Sequence, residues 1–286
     1  MGCPRATVRV LHHSEICDSS SWAETMLRMD MLSRFIRGMG LTALLCAVVC
    51  PSWAEPIGVR YAQGSSHGFL ALRTLDGKTI ATGESTQTVR GDQVTSKLVF
   101  RFRDGSIDED ETVFTQRRVF RLVSDHHIQH GPSFPKPIDF LIDVASGELV
   151  SRQEDGTVTK EHMDLPEDVS NGLPPNLIIN LLPTTPETKI SYVAPGKKPR
   201  LVHISIKPTG SSPFRVGSFH GRATDFDLHV ELGGVAGVVA PILGKEPADY
   251  HIWLQSGRPP AFVREEGPLY EGGPIWRIEQ LAPSLQ

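Results

Sequence analysis

The sequence predicts a mainly β protein: an antiparallel, curved sheet closed as a barrel or left as a half-barrel. Helix is expected only in short pieces near residues 164–182 and 234–243. Three observations lead there. Strand-like runs recur at intervals of about ten residues from Tyr61 onward. Asp-Gly and Ser-Gly pairs punctuate them. Several runs alternate strictly between apolar and polar residues, which gives a sheet one dry face and one wet face.

Taken in order, residues 69–75 run to Asp76-Gly77, and 79–89 follow. Residues 93–102 set Val94, Leu98, Phe100 and Phe102 against Lys97 and Arg101 and end before Asp104-Gly105. Residues 138–144 meet Ser146-Gly147, residues 148–153 meet Asp155-Gly156, and 157–163 follow. Asp-Gly is read as the centre of a tight type I′ hairpin turn, in which both central residues take positive φ. Later strands are expected over 189–193, 200–207, 214–219, 224–232, 250–255, 261–264 and 275–280. In one of them Val202, Ile204 and Ile206 oppose His203 and Ser205; in another Phe226, Leu228 and Val230 oppose Asp225, Asp227 and His229.

Two segments break the rhythm. Asp164 as N-cap, Pro166 in the first turn and Gly172 as the stop predict a helical turn over 164–172. Pro174-Pro175 opens a second short helix, apolar on most of its circumference and therefore expected to be buried against the concave face. Residues 233–245 are apolar and Gly-rich, with no charge before Lys245.

The chain ahead of Glu55 reads as targeting sequence. Arg34 and Arg37 form a basic start, residues 41–49 an apolar core, and Ser52 and Ala54 the small residues of a cleavage site. Residues 31–54 are thus read as a signal peptide, residues 1–30 as a non-native upstream extension, and residues 55–286 as a single β-rich domain. The apolar core is too short for a membrane span, which needs about twenty residues. All four cysteines (Cys3, Cys17, Cys46, Cys50) precede the cut, which excludes a disulfide framework or a thiol nucleophile from the mature chain. Removing the five basic and four acidic residues of 1–54 from the 29 and 33 of the whole chain leaves 24 against 29. That mild acidity argues against nucleic acid, or an anionic lipid surface, as the main partner.

Chemistry-bearing motifs are sparse. Asp125, His126 and His130 form the best metal candidate, because imidazole and carboxylate suit zinc or copper; a metal-dependent hydrolase is the enzymatic alternative. On a strand His126 and His130 share one face and His127 takes the other. Asp225 with Asp227, and Glu265 with Glu266, are paired carboxylates, read mainly as surface acids. The run from Asp108 to Glu111 is read as a solvated loop and strand edge. No Gly-x-Ser-x-Gly elbow is present.

The phrases Gly131-Pro-Ser-Phe-Pro135, Asp164-Leu-Pro-Glu-Asp168 with Asn171-Gly172, the run from Glu231 to Pro241 with Gly244-Lys245, and Phe262-Val-Arg-Glu-Glu-Gly-Pro268 resemble a family of uncharacterised secreted bacterial β-rich proteins. More distantly, the strand and helix rhythm is similar to periplasmic half-barrels of the lipoprotein-carrier type, which hold acyl chains around helices. The family resemblance brings no known activity, and the half-barrel likeness is one of architecture alone. With the leader and no strong catalytic motif, the leading reading is a periplasmic or secreted, non-enzymatic protein without cofactor, binding an apolar or lipid-like molecule in the curved sheet; an envelope protein partner is left unnamed. The expected cavity residues are Leu177, Ile178, Leu181, Val235, Val238 and Ile242. A filled, purely structural barrel is the remaining alternative.

Intact mass of the exported protein is expected to place its N-terminus at Glu55. Its melting temperature should be indifferent to reductant. A product retaining residues 1–30, or a reductant-sensitive melt, would contradict the leader assignment.

Overall fold

Alternating strands with one apolar face cannot stay single, and here they pair into one sheet. The computed structural model describes residues 56–196, 198–216, 219–231 and 247–281. The predicted leader and the segment expected to be helical near 234–243 lie outside the described residues. The first half of the chain gives β1 (Ser66–Thr74), β2 (Thr79–Arg90), β3 (Gln93–Phe102), β4 (Ile107–Gln116), β5 (Phe120–His130), β6 (Ile138–Asp143), β7 (Glu148–Arg152) and β8 (Val158–His162). The second half gives β9 (Thr188–Ala194), β10 (Arg200–Val216), β11 (Phe219–Glu231), β12 (Tyr250–Gln255), β13 (Ala261–Pro268) and β14 (Ile275–Gln280). Among the described residues a single short helix, α1 (Pro174–Ile178), lies between the halves.

All neighbours are antiparallel, in the order β8-β7-β6-β5-β4-β3-β2-β1-β14-β13-β12-β11-β10-β9. Two meanders are fused where the first strand pairs with the last, for example Leu72 opposite Ile278. β8 and β9 are therefore the two free edges, and the sheet is not closed. Twisted open sheets of more than about ten strands curl, and this one wraps around a core on its concave side. That core gathers Phe114 (β4), Phe140 (β6), Ile190 (β9), Ile206 (β10), Phe226 (β11) and Ile252 (β12) around Leu177 and Ile178 of α1. A second cluster, Leu72, Phe100, Phe102, Phe134, Trp276 and Ile278, fills the region around β1 and β14.

The Asp-Gly sites do turn the chain, but not as expected. The loops are longer than two residues, and no residue other than glycine takes positive φ among the described residues. Only the glycine is left-handed, as at Gly105 (φ 87°). The aspartate acts through its side chain: Asp104 Oδ1 accepts the Ser106 N–H at 2.9 Å, and Asp155 Oδ1 that of Thr157 at 2.8 Å.

Residues 163–187 form a strap that carries the chain from one sheet edge to the other. Its first part is not helical, contrary to the sequence expectation; it makes turns and a bridge from Val169 to Ser191. The reason lies in what its backbone and side chains meet. Ser170 N–H donates to Ser191 O at 2.9 Å. Asn171 Nδ2 donates to Val193 O at 3.0 Å, and its Oδ1 accepts the Val193 N–H at 2.9 Å. Bonds to the edge strand replace intrahelical ones. Gly172 (φ 67°) then lies against β4 and β5, where an added Cβ would collide with Thr112 Oγ1. Further along, Asn180 Oδ1 accepts the backbone N–H groups of Arg60 and Tyr61 at 2.8 and 2.7 Å, which ties the N-terminal segment to the strap.

Asn171→Ala strands both backbone groups of Val193 and is expected to lower stability by roughly 2–4 kcal/mol in urea unfolding. Ile178→Ala, at a fully buried site, should cost roughly 2–5 kcal/mol. Losses below about 1 kcal/mol for both would show that the strap is not part of the cooperative fold.

Candidate functional site

The concave side is only partly filled. Beside the packed core, the described residues line a broad cavity of about 2340 Å³ that is open to solvent. Its apolar wall includes Leu98, Phe100, Phe140, Ile204, Leu228 and Ile252. These positions follow from strand alternation, since every second residue of β3, β6, β10, β11 and β12 points inward.

One stretch of this wall is acidic. On β4 and β5 the inward positions are cross-strand pairs: Asp108 opposite Gln129, Asp110 opposite His127, and Thr112 opposite Asp125. Asp108 Oδ1 binds His127 Nε2 at 2.9 Å and accepts from Gln129 Nε2 at 2.9 Å. Gln129 Nε2 also donates to Leu269 O at 2.7 Å. Thr112 Oγ1 donates to Asp125 Oδ1 at 3.0 Å. Gln129 Oε1 and Asp110 Oδ1 are buried without a partner among the described residues.

Burial dominates the electrostatics here. It pushes the Asp125 carboxyl up to about 6. Burial, reinforced by the neighbouring Asp125 charge, holds Asp110 well above the ordinary carboxylate range. Two adjacent buried carboxyls cannot both ionise cheaply, so the pair holds a proton more tightly than an ordinary carboxylate does. Burial alone would lower His127, but its hydrogen bond to Asp108 and the charges of Asp108 and Asp110 outweigh it, leaving the imidazole raised above its ordinary range. Glu265 on β13, also on the cavity wall, is pushed up to about 7 by burial alone. Two phenols complete the polar lining. Burial pushes Tyr250 up to about 12, and raises Tyr192, which also feels Tyr250 and the Asp125, Asp110 and Asp108 charges, higher still. Both are neutral donors. The lining cations Lys136, Arg152, Lys198 and Arg200 are all exposed.

The predicted site residues are dispersed. Leu177 and Ile178 lie within the packed core, and Leu181 is half-buried against it. The strap meets the cavity through Gly172, Pro174, Pro175, Asn176 and Ile179; of these, Asn176 and Ile179 occupy the other side of the helical turn from Leu177 and Ile178. Val235, Val238 and Ile242 lie outside the described residues. Asp125 points to the concave side, whereas His126 pairs with Asp139 at 2.9 Å and His130 is exposed. Strand alternation sets these two histidines on the convex face, so the three are not brought together. Among the described residues no group of three or more metal-ligating side chains converges. Asp225 and Asp227 do share a face, next to His251 at 3.2 and 4.0 Å.

Two readings need correction. Asp108 and Asp110, expected to be solvated, line the cavity instead. Glu265, expected at the surface, does so too. The signal was present in β4: Asp108, Asp110 and Thr112 precede Phe114 at every second position, so they share the face of a core phenylalanine.

No protein-family model matches the chain. No curated protein matches it. Among solved structures it is similar to a beta-barrel-like protein of a domain of unknown function, DUF1849, from Brucella abortus, at 10% identity, over 77% of this chain and 97% of that one, with a TM-score of 0.45.

The pH dependence of stability follows from the shifts. A carboxyl raised in the folded state keeps its proton while the unfolded chain loses it, so stability falls as pH climbs from the unfolded to the folded value. For Glu265 that window runs from about 4.5 to about 7, and for Asp125 from about 4 to about 6. The raised His127 acts in the same direction, its contribution fading as pH rises through its folded value. The melting temperature is expected to be higher at pH 5 than at pH 8. Glu265→Gln should stabilise the protein at pH 8 by roughly 1–3 kcal/mol and flatten the profile. A melting temperature that climbs from pH 5 to pH 8 would contradict these assignments.

Proposed function

We propose that the protein is an exported, non-enzymatic binder of an amphiphile, held with its apolar body along the concave wall and its polar end at the acidic stretch. The observation that supports this reading is the cavity itself, with its apolar wall and one concentrated polar patch. Apolar sites with a few convergent polar groups are the usual form of a small-molecule pocket. Its volume exceeds the roughly 300–1,000 Å³ of drug-sized sites and suits a long or two-chained molecule. The carboxyls and phenols present a site rich in proton-sharing groups, matched to a head that donates hydrogen bonds. Export from the cytoplasm is part of the proposal and rests on the leader at residues 31–54.

A binder is stabilised by its ligand through linkage. Solvent-stripped protein titrated with phospholipid or fatty acid is expected to gain melting temperature in a saturable way. Val230→Trp, which adds bulk at a half-buried lining position, should leave the unliganded melt nearly unchanged and abolish the gain. If Val230→Trp instead destabilises the protein strongly, and no amphiphile shifts the melt, the concave side is a filled structural core.

A further inference from the structure

The ribbon of β10 and β11 outruns its neighbours. β9 accompanies β10 only from Arg200 to Ile206, and β12 accompanies β11 only from Ala223 to Leu228. Beyond those limits the two strands continue to pair with each other as far as Val216 opposite Phe219. Among the described residues, this outer half has no other sheet partner. The sequence reading had divided it into separate strands over 200–207 and 214–219; the chain instead runs through, with one bulge between Pro208 and Gly210.

Register sorts the side chains of the outer ribbon by chemistry. The pairs Val216–Phe219 and Phe214–Gly221 fall on one face, and Arg215–His220 and Pro213–Arg222 on the other. Phe214 packs on Ala223, Trp253 and Val263 of the convex surface, which anchors the base. Its ring centroid lies 5.8 Å from that of Phe219. Past this anchor Phe219 is 50% exposed and Val216 42%. The stretch from Pro208 to Thr224 contains no Asp or Glu but contains Arg215, His220 and Arg222. Both arginines are exposed. Arg222 is steadied by its bonds to Ser211. A chain of net charge −4 thus projects a locally cationic tip with bare aromatic and aliphatic side chains.

We propose that this tip is a membrane contact. Phe219 and Val216 enter the boundary between headgroups and acyl chains, and Arg215 and Arg222 meet the phosphates of an anionic lipid surface. Aromatic side chains are favoured at that depth, and the aliphatic stems of arginine let the guanidinium reach back to the headgroups. Basic residues near an anionic leaflet add attraction that weakens with salt. The whole-chain charge, which argued against such a surface, averages over acids that lie elsewhere. The contact stands apart from the cavity proposal, since neither shares residues with the other.

Cosedimentation with vesicles tests it. The purified protein is expected to bind phosphatidylglycerol-rich vesicles and to leave pure phosphatidylcholine vesicles largely unbound, with binding lost as salt rises. Arg215→Ser with Arg222→Ser should weaken binding by more than 10-fold, at about 5-fold per charge. Phe219→Ser with Val216→Ser should weaken it at least as much. Leu75→Ser, an equally bare apolar residue just after β1 (50% exposed), should bind like the parent. Arg215→Glu reverses charge at an exposed site without loss of packing, so it separates lipid contact from folding should the apolar variant melt early. No binding to either vesicle, equal binding to both, or variants that bind like the parent would overturn the proposal.

Discussion

The fold depends on how one segment joins the two edges of an over-long sheet. Fourteen antiparallel strands would curl without closing, leaving two rows of unpaired backbone groups and an open trough. The strap between β8 and β9 answers both problems. Asn171 satisfies the N–H and the C=O of Val193 with one side-chain amide, so part of the β9 edge is paired by a residue that is not itself in a strand. The next residue, Gly172, lies over Thr112 and Asp125 in the middle of the concave wall. The β9 edge is thereby held against the inner face of β4 and β5. A Cβ at Gly172 would collide with that wall, which explains why glycine follows asparagine there.

This closure divides the trough. On the strap side, Leu173, Leu177 and Ile178 complete a dry core with residues from nine strands. Beside it, the wall remains lined but not packed. The acid cluster sits at the division: Thr112 and Asp125 touch the strap, whereas Asp108, Asp110 and His127 line the cavity. Burial of these groups opposes stability near neutral pH, because ionised carboxylates in an apolar surround are costly. A protein that only needed a core would be better served by apolar residues at these positions, as buried ion pairs are often replaceable by them without loss. Their presence on a cavity wall is what turns the reading from a filled barrel toward a binding site.

Much of the fold was legible because β alternation is local. The strand runs, the turns at Asp-Gly and Ser-Gly, and a buried helix after Pro174-Pro175 all follow from periods of two or of about 3.6 residues and from turn chemistry. What escaped depended on partners distant in sequence. The turn type at Asp104-Gly105 was misread because the aspartate caps a backbone N–H rather than adopting positive φ. The segment 164–172 carries helix signals, but the β9 edge competes for its polar groups and wins. The acids of β4 were taken as solvated because charge outweighed alternation in the reading, although Phe114 marked their face. The cavity edge of the helix was placed on Leu177, Ile178 and Leu181, but the core claims the side of the turn that carries Leu177 and Ile178, and the cavity meets the side that carries Asn176 and Ile179; apolar character alone does not separate Ile178 from Ile179. Among the described residues, three of the phrases that suggested a family take structural roles: Phe134 packs edge-on to Phe102 with centroids 5.2 Å apart, Asn171-Gly172 forms the clasp, and Glu265 stands on the wall.

The central claim is that the concave wall encloses a molecule rather than only itself. Native mass spectrometry of protein purified from cells that make it, without detergent, addresses it directly. The account predicts a species heavier than the polypeptide by several hundred daltons, converted to the bare polypeptide mass after solvent extraction and restored by incubation with amphiphile. The polypeptide mass alone at every stage would contradict it.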